Sequence, residues 1–76
     1  MPHIVVKLWP GPSEQQKAQL AQDITRAIGK NIGSGDESVS VAIEEVPSRD
    51  WMEKVYRPDI APVMDSLYKK PGYAPF

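Results

Sequence analysis

From residue 3 to residue 8 the chain runs His3, Ile4, Val5, Val6, Lys7, Leu8, a β-branched stretch that sits on a pleated strand more easily than in a helix. Trp9-Pro10-Gly11-Pro12 follows, and prolines without an N–H cannot extend a ladder. The apolar period then lengthens. Leu20, Ile24, Ile28 and Ile32 recur at four-residue steps with Ala21 and Ala27 beside them, while Lys17, Gln19, Gln22, Asp23, Arg26 and Lys30 take the other side, which predicts an amphipathic helix. Its entry at Ser13-Glu14-Gln15-Gln16 has the form of a capping box, and Gly33-Ser34-Gly35 supplies a left-handed exit. From residue 39 to 46 the period falls to two, with Val39, Val41 and Ile43 on one face and Ser40, Ala42 and Glu44 on the other, the alternation of a second strand.

Strand, helix, strand over this length predicts a βαβ unit with parallel strands and a right-handed crossover. A two-stranded sheet is not stable alone, and parallel strands need cover on both faces. One helix covers one face, so the other face and a sheet edge predict a partner subunit. Beyond the second strand, Pro47-Ser48-Arg49-Asp50 reads as a turn into a short helix that places Trp51, Met52, Val55 and Tyr56 on one stripe. Pro58 is expected to stop it by pushing Arg57 out of helical geometry. Asp59 then caps a last helix carrying Ile60, Val63, Met64, Leu67 and Tyr68, with Pro62 in its first turn. The tail from Lys69 to Phe76 holds aromatics without periodicity and docks on its own subunit, docks on a neighbour, or frays.

Composition narrows the function classes. The chain has 76 residues, one histidine, no cysteine and a formal charge of −1, so a single domain spanning 1–76 is expected. A core of this size supplies about 3 to 5 kcal/mol, and without a disulfide the remaining source of stability is oligomerisation. One imidazole and no thiol argue against a metal cage, and the carboxylates lack calcium-loop spacing. Nine basic against ten acidic residues leave no basic patch for nucleic acid. There is no membrane-length apolar run or leader pattern, and the expected compartment is the cytoplasm.

One residue carries potential chemistry by virtue of its place. If Met1 is removed, Pro2 becomes the amino terminus and its ring nitrogen changes from an amide to a secondary amine with a basic lone pair. In an apolar pocket, desolvation disfavours the cation and lowers the amine's pKa, which suits a general base near neutral pH. The plainer role for Pro2 is to open an edge strand that has no hydrogen to donate.

Pro2 opening a strand, the Ser-Glu-Gln-Gln-Lys helix start at 13 to 17, Val-Ser-Val-Ala-Ile-Glu-Glu-Val at 39 to 46 and Trp51 after it together resemble the 4-oxalocrotonate tautomerase family. Asp59-Ile60-Ala61-Pro62 and Lys69-Lys70-Pro71-Gly72-Tyr73 resemble its small dimeric bacterial members that act on phenylpyruvate enol. The resemblance implies an α/β (α+β) fold: a βαβ unit with carboxyl-terminal helices, completed into a four-stranded sheet by dimerisation. It also implies a cofactor-independent keto-enol isomerase acting on a small-molecule substrate, with Pro2 as the catalytic base and Trp51 as an aromatic wall.

The sequence departs from that family in one respect. The positions that match the two substrate-gripping arginines of the founding enzymes are Pro12 and Ser40, and neither supplies a bidentate cationic fork. A monocarboxylate enol with an aromatic group therefore suits this chain better than a dicarboxylate, with Trp51 and Tyr56 against the ring and Ser40 as a hydrogen-bond donor. Arg49, near Trp51, heads the candidates for the missing cation, ahead of His3, Lys7, Arg26 and Arg57; His3 reads more readily as a sheet or interface residue on the face opposite Pro2. Two alternatives stand beside this reading. One is a proline-dependent dehalogenase or decarboxylase of short keto or halo acids; the other, if Met1 is retained, is a noncatalytic homo-oligomeric binding protein. The length after Tyr56 favours a dimer over a hexamer.

Overall fold

The computed structural model describes residues 1–73. By packing, the chain divides into a first unit, Met1–Glu45, and a second that begins at Val46. In the first unit, strand β1 (His3–Leu8) pairs in parallel with β2 (Ser40–Glu45), in a register running from His3↔Ser40 to Leu8↔Glu45. Helix α1 (Glu14–Ile32) connects them, which makes the predicted βαβ unit. The second strand is one residue shorter at each end than its alternation implies. Val39 is extended, but its N–H closes the short 3-10 helix Asp36–Ser38 by bonding the Asp36 carbonyl, and Val46 belongs to the second unit.

The capping box forms as its residues demand. The Ser13 hydroxyl accepts the Gln16 N–H at 3.1 Å, and the Gln16 side chain accepts the Ser13 N–H at 2.8 Å, an arrangement in which the cap residue alone contributes about 1 kcal/mol. Gly33 ends the helix at φ 83° and donates to the Gly29 carbonyl, a conformation open to glycine at little cost. Lys17 ties α1 to β2, bonding Glu14 on its own helix and Glu45 at 3.3 Å on the strand. The Glu14 carboxylate, and secondarily Glu45, raise the Lys17 pKa against the opposing effect of desolvation.

Alternation assigns the strand faces. Ile4, Val6, Val41 and Ile43 share the face on which Glu45 meets Lys17 of α1; His3, Val5, Lys7, Ser40, Ala42 and Glu44 share the other. On that other face His3, Val5, Ser40 and Glu44 are exposed. The helix stripe is only partly covered: Ala21, Ile24 and Ile28 are half-buried, whereas Leu20 is 36% and Ile32 67% exposed. Length accounts for Ile32 alone, the last residue of a helix that runs about 28 Å against strands of about 20 Å; Leu20, in the second turn, lies well inside the helix.

The second unit departs from its predicted form. A short 3-10 helix, Ser48–Asp50, leads through Trp51 into a π-helix, Met52–Ile60, and then a 3-10 helix, Ala61–Ser66. Pro58 does not stop the helix but lies inside it. In an α-helix its ring would meet the carbonyl four residues back and leave that acceptor empty. The wider π turn shifts the pairing by one residue, and the Ala61 N–H accordingly bonds the Tyr56 carbonyl five residues back. Arg57 stays within the helix, paired with Glu53.

Asp59 does not cap a new helix, because the π turn passes through it and the 3-10 segment starts after Ile60 without a side-chain cap. Pro62 does fall in that segment's first turn. The expected apolar stripe breaks at Val63 (φ −121°, ψ 19°), and Leu67 is extended, so Tyr68 ends fully exposed. Among the described residues the buried hydrophobic side chains are Val46, Val55 and Tyr56. No helix among the described residues is long and apolar enough to cross a membrane.

Candidate active site

In the first unit the mouth of the sheet gathers three of the residues singled out above. Pro2 precedes β1, half-buried, and its carbonyl accepts the Ser40 N–H at 3.2 Å. Ser40 stands across from His3 at the first rung of the sheet, and the His3 Nδ1 lies 2.6 Å from the Ser40 Oγ. Both side chains are exposed. Parallel pairing therefore links Pro2 to Ser40 through backbone and Ser40 to His3 through side chains. The sequence marks Ser40 as a donor and His3 as a sheet residue, but their bond follows from a register that joins residues 37 apart. A polar residue opening each strand is the only local sign of it.

Two other candidate cations belong to this unit. Lys7 stands across from Glu44. Arg26 bonds Asp23 at 3.2 Å on α1 and lines an open depression with Ala21, Thr25, Asp36 and Val41. Pro12, in the loop after β1, is exposed. Among the described residues no three His, Asp or Glu side chains converge as a metal cage requires.

In the second unit Trp51, Tyr56 and Tyr73 form an aromatic group. The Trp51 indole Nε1–H donates to the Tyr73 hydroxyl at 3.1 Å, and the Tyr73 ring lies 6.0 Å from that of Tyr56 at 51°, a tilted arrangement favoured by ring quadrupoles. The tail thus docks on its own chain through Tyr73; Phe76 lies outside the described residues. Tyr56 is 8% exposed and presents little surface to a ligand, whereas Trp51 is half-buried and Tyr73 is 41% exposed. Arg49 is exposed in the short helix before Trp51. Tyr73 carries no periodic signal in the sequence, so nothing local to it predicts its part in this group.

Comparison with known proteins bears on both units. A family model described as "Tautomerase enzyme" matches residues 2–56. Tautomerase PptA of Pectobacterium carotovorum is 45% identical over 75 residues, covering 97% of this chain and 99% of that one. A probable tautomerase of Xylella fastidiosa is 44% identical over 73 residues, covering 96% of this chain and 89% of its own. Among solved structures, TomN, a 4-oxalocrotonate tautomerase homologue of the tomaymycin biosynthetic pathway, superposes with a TM-score of 0.64 at 38% identity, over 66% of this chain and 77% of that one. A βαβ unit opened by Pro2 and a family match that begins at the same residue lead to one assignment: the chain belongs to the tautomerase family and is an isomerase.

Proposed function

We propose that this isomerase converts the enol of a small aromatic 2-keto acid to its keto form without a cofactor, and that the nitrogen of Pro2 is the general base once Met1 is removed. The observation that carries the reading is the anchoring of Pro2, whose carbonyl is held by the Ser40 N–H at the head of β1. That bond fixes the residue while leaving its nitrogen uncommitted to the ladder. Met1 is fully exposed, so its loss removes nothing packed. The freed amine takes the proton of the enol hydroxyl; the C–O bond becomes a carbonyl as the carbon–carbon double bond shifts, and the carbon receives a proton from the same nitrogen or from water. Reactants and products balance with no added redox partner.

The resemblance and the side-chain chemistry support the remaining roles: Ser40 as a donor to the substrate, Trp51 as the aromatic wall with Tyr56 behind it, and Arg49 as a cation for the carboxylate. The test is loss of phenylpyruvate enol absorbance in the ultraviolet, using protein shown by intact mass to lack Met1. The expected result is conversion well above the uncatalysed rate; a processed protein that leaves that rate unchanged refutes the reading.

The same reading includes a homodimer. A two-stranded sheet is marginal by itself, and the exposed face at Val5 and the overhanging end of α1 at Ile32 leave apolar surface in water. Pairing two sheets into one of four strands gives each sheet the further strand partners it lacks. Sedimentation equilibrium is expected to give the mass of two chains, and a mass of one or of six overturns the dimer.

A further inference from the structure

The bond between His3 and Ser40 reaches further than the roles assigned so far. We propose that His3 is a positioning residue for the substrate carboxylate: its Nδ1–H donates to the Ser40 Oγ and so leaves the Ser40 hydroxyl hydrogen for the anion. The inference rests on the tautomerase reading and adds to it a source of positive potential at the β2 position where the resemblance finds no arginine.

A serine hydroxyl has one hydrogen and two lone pairs. Were Nδ1 the acceptor, the hydrogen would be spent on the imidazole and Ser40 would meet an anion with lone pairs alone. With Nδ1 as donor, the hydrogen is free and the hydroxyl is polarised toward giving it up, the direction in which chained hydrogen bonds strengthen one another. The separation of 2.6 Å is slightly below the usual range of an N–H···O bond and leaves no space for a water between the two groups. Backbone geometry fixes the hydroxyl as well. The register sets Ser40 across from His3, and the Ser40 N–H to Pro2 carbonyl bond holds that rung beside Pro2. The two side chains leave the face opposite the Pro2 ring, but the nitrogen is a backbone atom at the strand's start, so the face taken by the ring does not decide which side a substrate approaches from. Both side chains are exposed, so a ligand reaches them without any opening of the fold. The other charged groups of this face, Lys7 and Glu44, stand opposite each other further along the strands.

Three variants and a double variant test the assignment with phenylpyruvate enol, each checked for fold by circular dichroism. Ser40→Ala and His3→Phe are each expected to raise KM by about 10- to 100-fold, the range for a hydrogen bond to a charged group. kcat should stay nearly constant, because the lost contact binds ground and transition states alike. The double variant should be no worse than Ser40→Ala, since the histidine acts through the serine. His3→Asn, whose side-chain amide places a donor near the position of Nδ1, should restore most of the lost affinity. An unchanged KM in His3→Phe, additive losses in the double variant, or failure of His3→Asn to recover each overturns the proposal. Wild-type protein without turnover refutes the underlying tautomerase reading instead, so the two failures are distinct.

Discussion

Protein that keeps a residue in front of Pro2 is expected to convert phenylpyruvate enol at least about 100-fold less efficiently, in kcat/KM, than the same chain beginning at Pro2, because a positioned base is worth about 10² to 10⁴ in rate. The difference is electronic rather than steric. In a peptide bond the nitrogen lone pair is delocalised into the carbonyl and has no basicity; cleavage returns it to the amine. The comparison is clean because Met1 is fully exposed, so the two forms differ little in packing, while the Ser40 N–H to Pro2 carbonyl bond lies on the far side of the residue. Mass spectrometry assigns the forms and ultraviolet absorbance measures them. Pro2→Ala is the weaker experiment, since a processed alanine still offers a primary amine. In the processed protein kcat/KM should rise with pH as the amine loses its proton; the dehalogenase or decarboxylase chemistry, which uses the protonated nitrogen as an acid, predicts a fall. Equal turnover by the blocked and free forms would show that proline is not the base.

The legible parts of this fold are those with local causes. The capping box at Ser13 and Gln16, the left-handed exit at Gly33 and the two strands follow from residues close in sequence. The second unit departs from expectation at Pro58 because proline terminates α pairing, whereas the chain adopts π pairing there and continues to Ile60. A proline can either end a helix or be accommodated in a wider turn, and residue type alone does not choose between them. The site shows the same division. Pro2 stands out by position and Trp51 by residue type, whereas His3 with Ser40 and Trp51 with Tyr73 are contacts across 37 and 22 residues. Periodicity carries no record of such pairs.

The second unit's dependence on one ring makes Tyr56→Ala the most damaging packing change, with an expected loss of about 3 to 5 kcal/mol by analogy with large aromatic truncations. Tyr56 is 8% and Val55 4% exposed, and with Val46 they are the buried hydrophobic side chains among the described residues. Truncation removes the ring that lies 6.0 Å from that of Tyr73, and Tyr73 in turn accepts the Trp51 indole N–H, so Trp51 loses its backing along with the core. A chain of this size has only about 3 to 5 kcal/mol from its core; the variant should therefore be largely unfolded at protein concentrations too low for self-association to compensate. Urea titration followed by tryptophan fluorescence measures the loss. Tyr68→Ala is the matched control, the same substitution at a fully exposed position, and is expected to shift stability by no more than about 0.5 kcal/mol. Tyr56→Phe, which keeps the ring, separates the packing contribution from that of the hydroxyl and should retain most of the stability. If Tyr56→Ala proves as mild as Tyr68→Ala, the second unit is not organised around this ring, and the support assigned to Trp51 through Tyr73 falls with it.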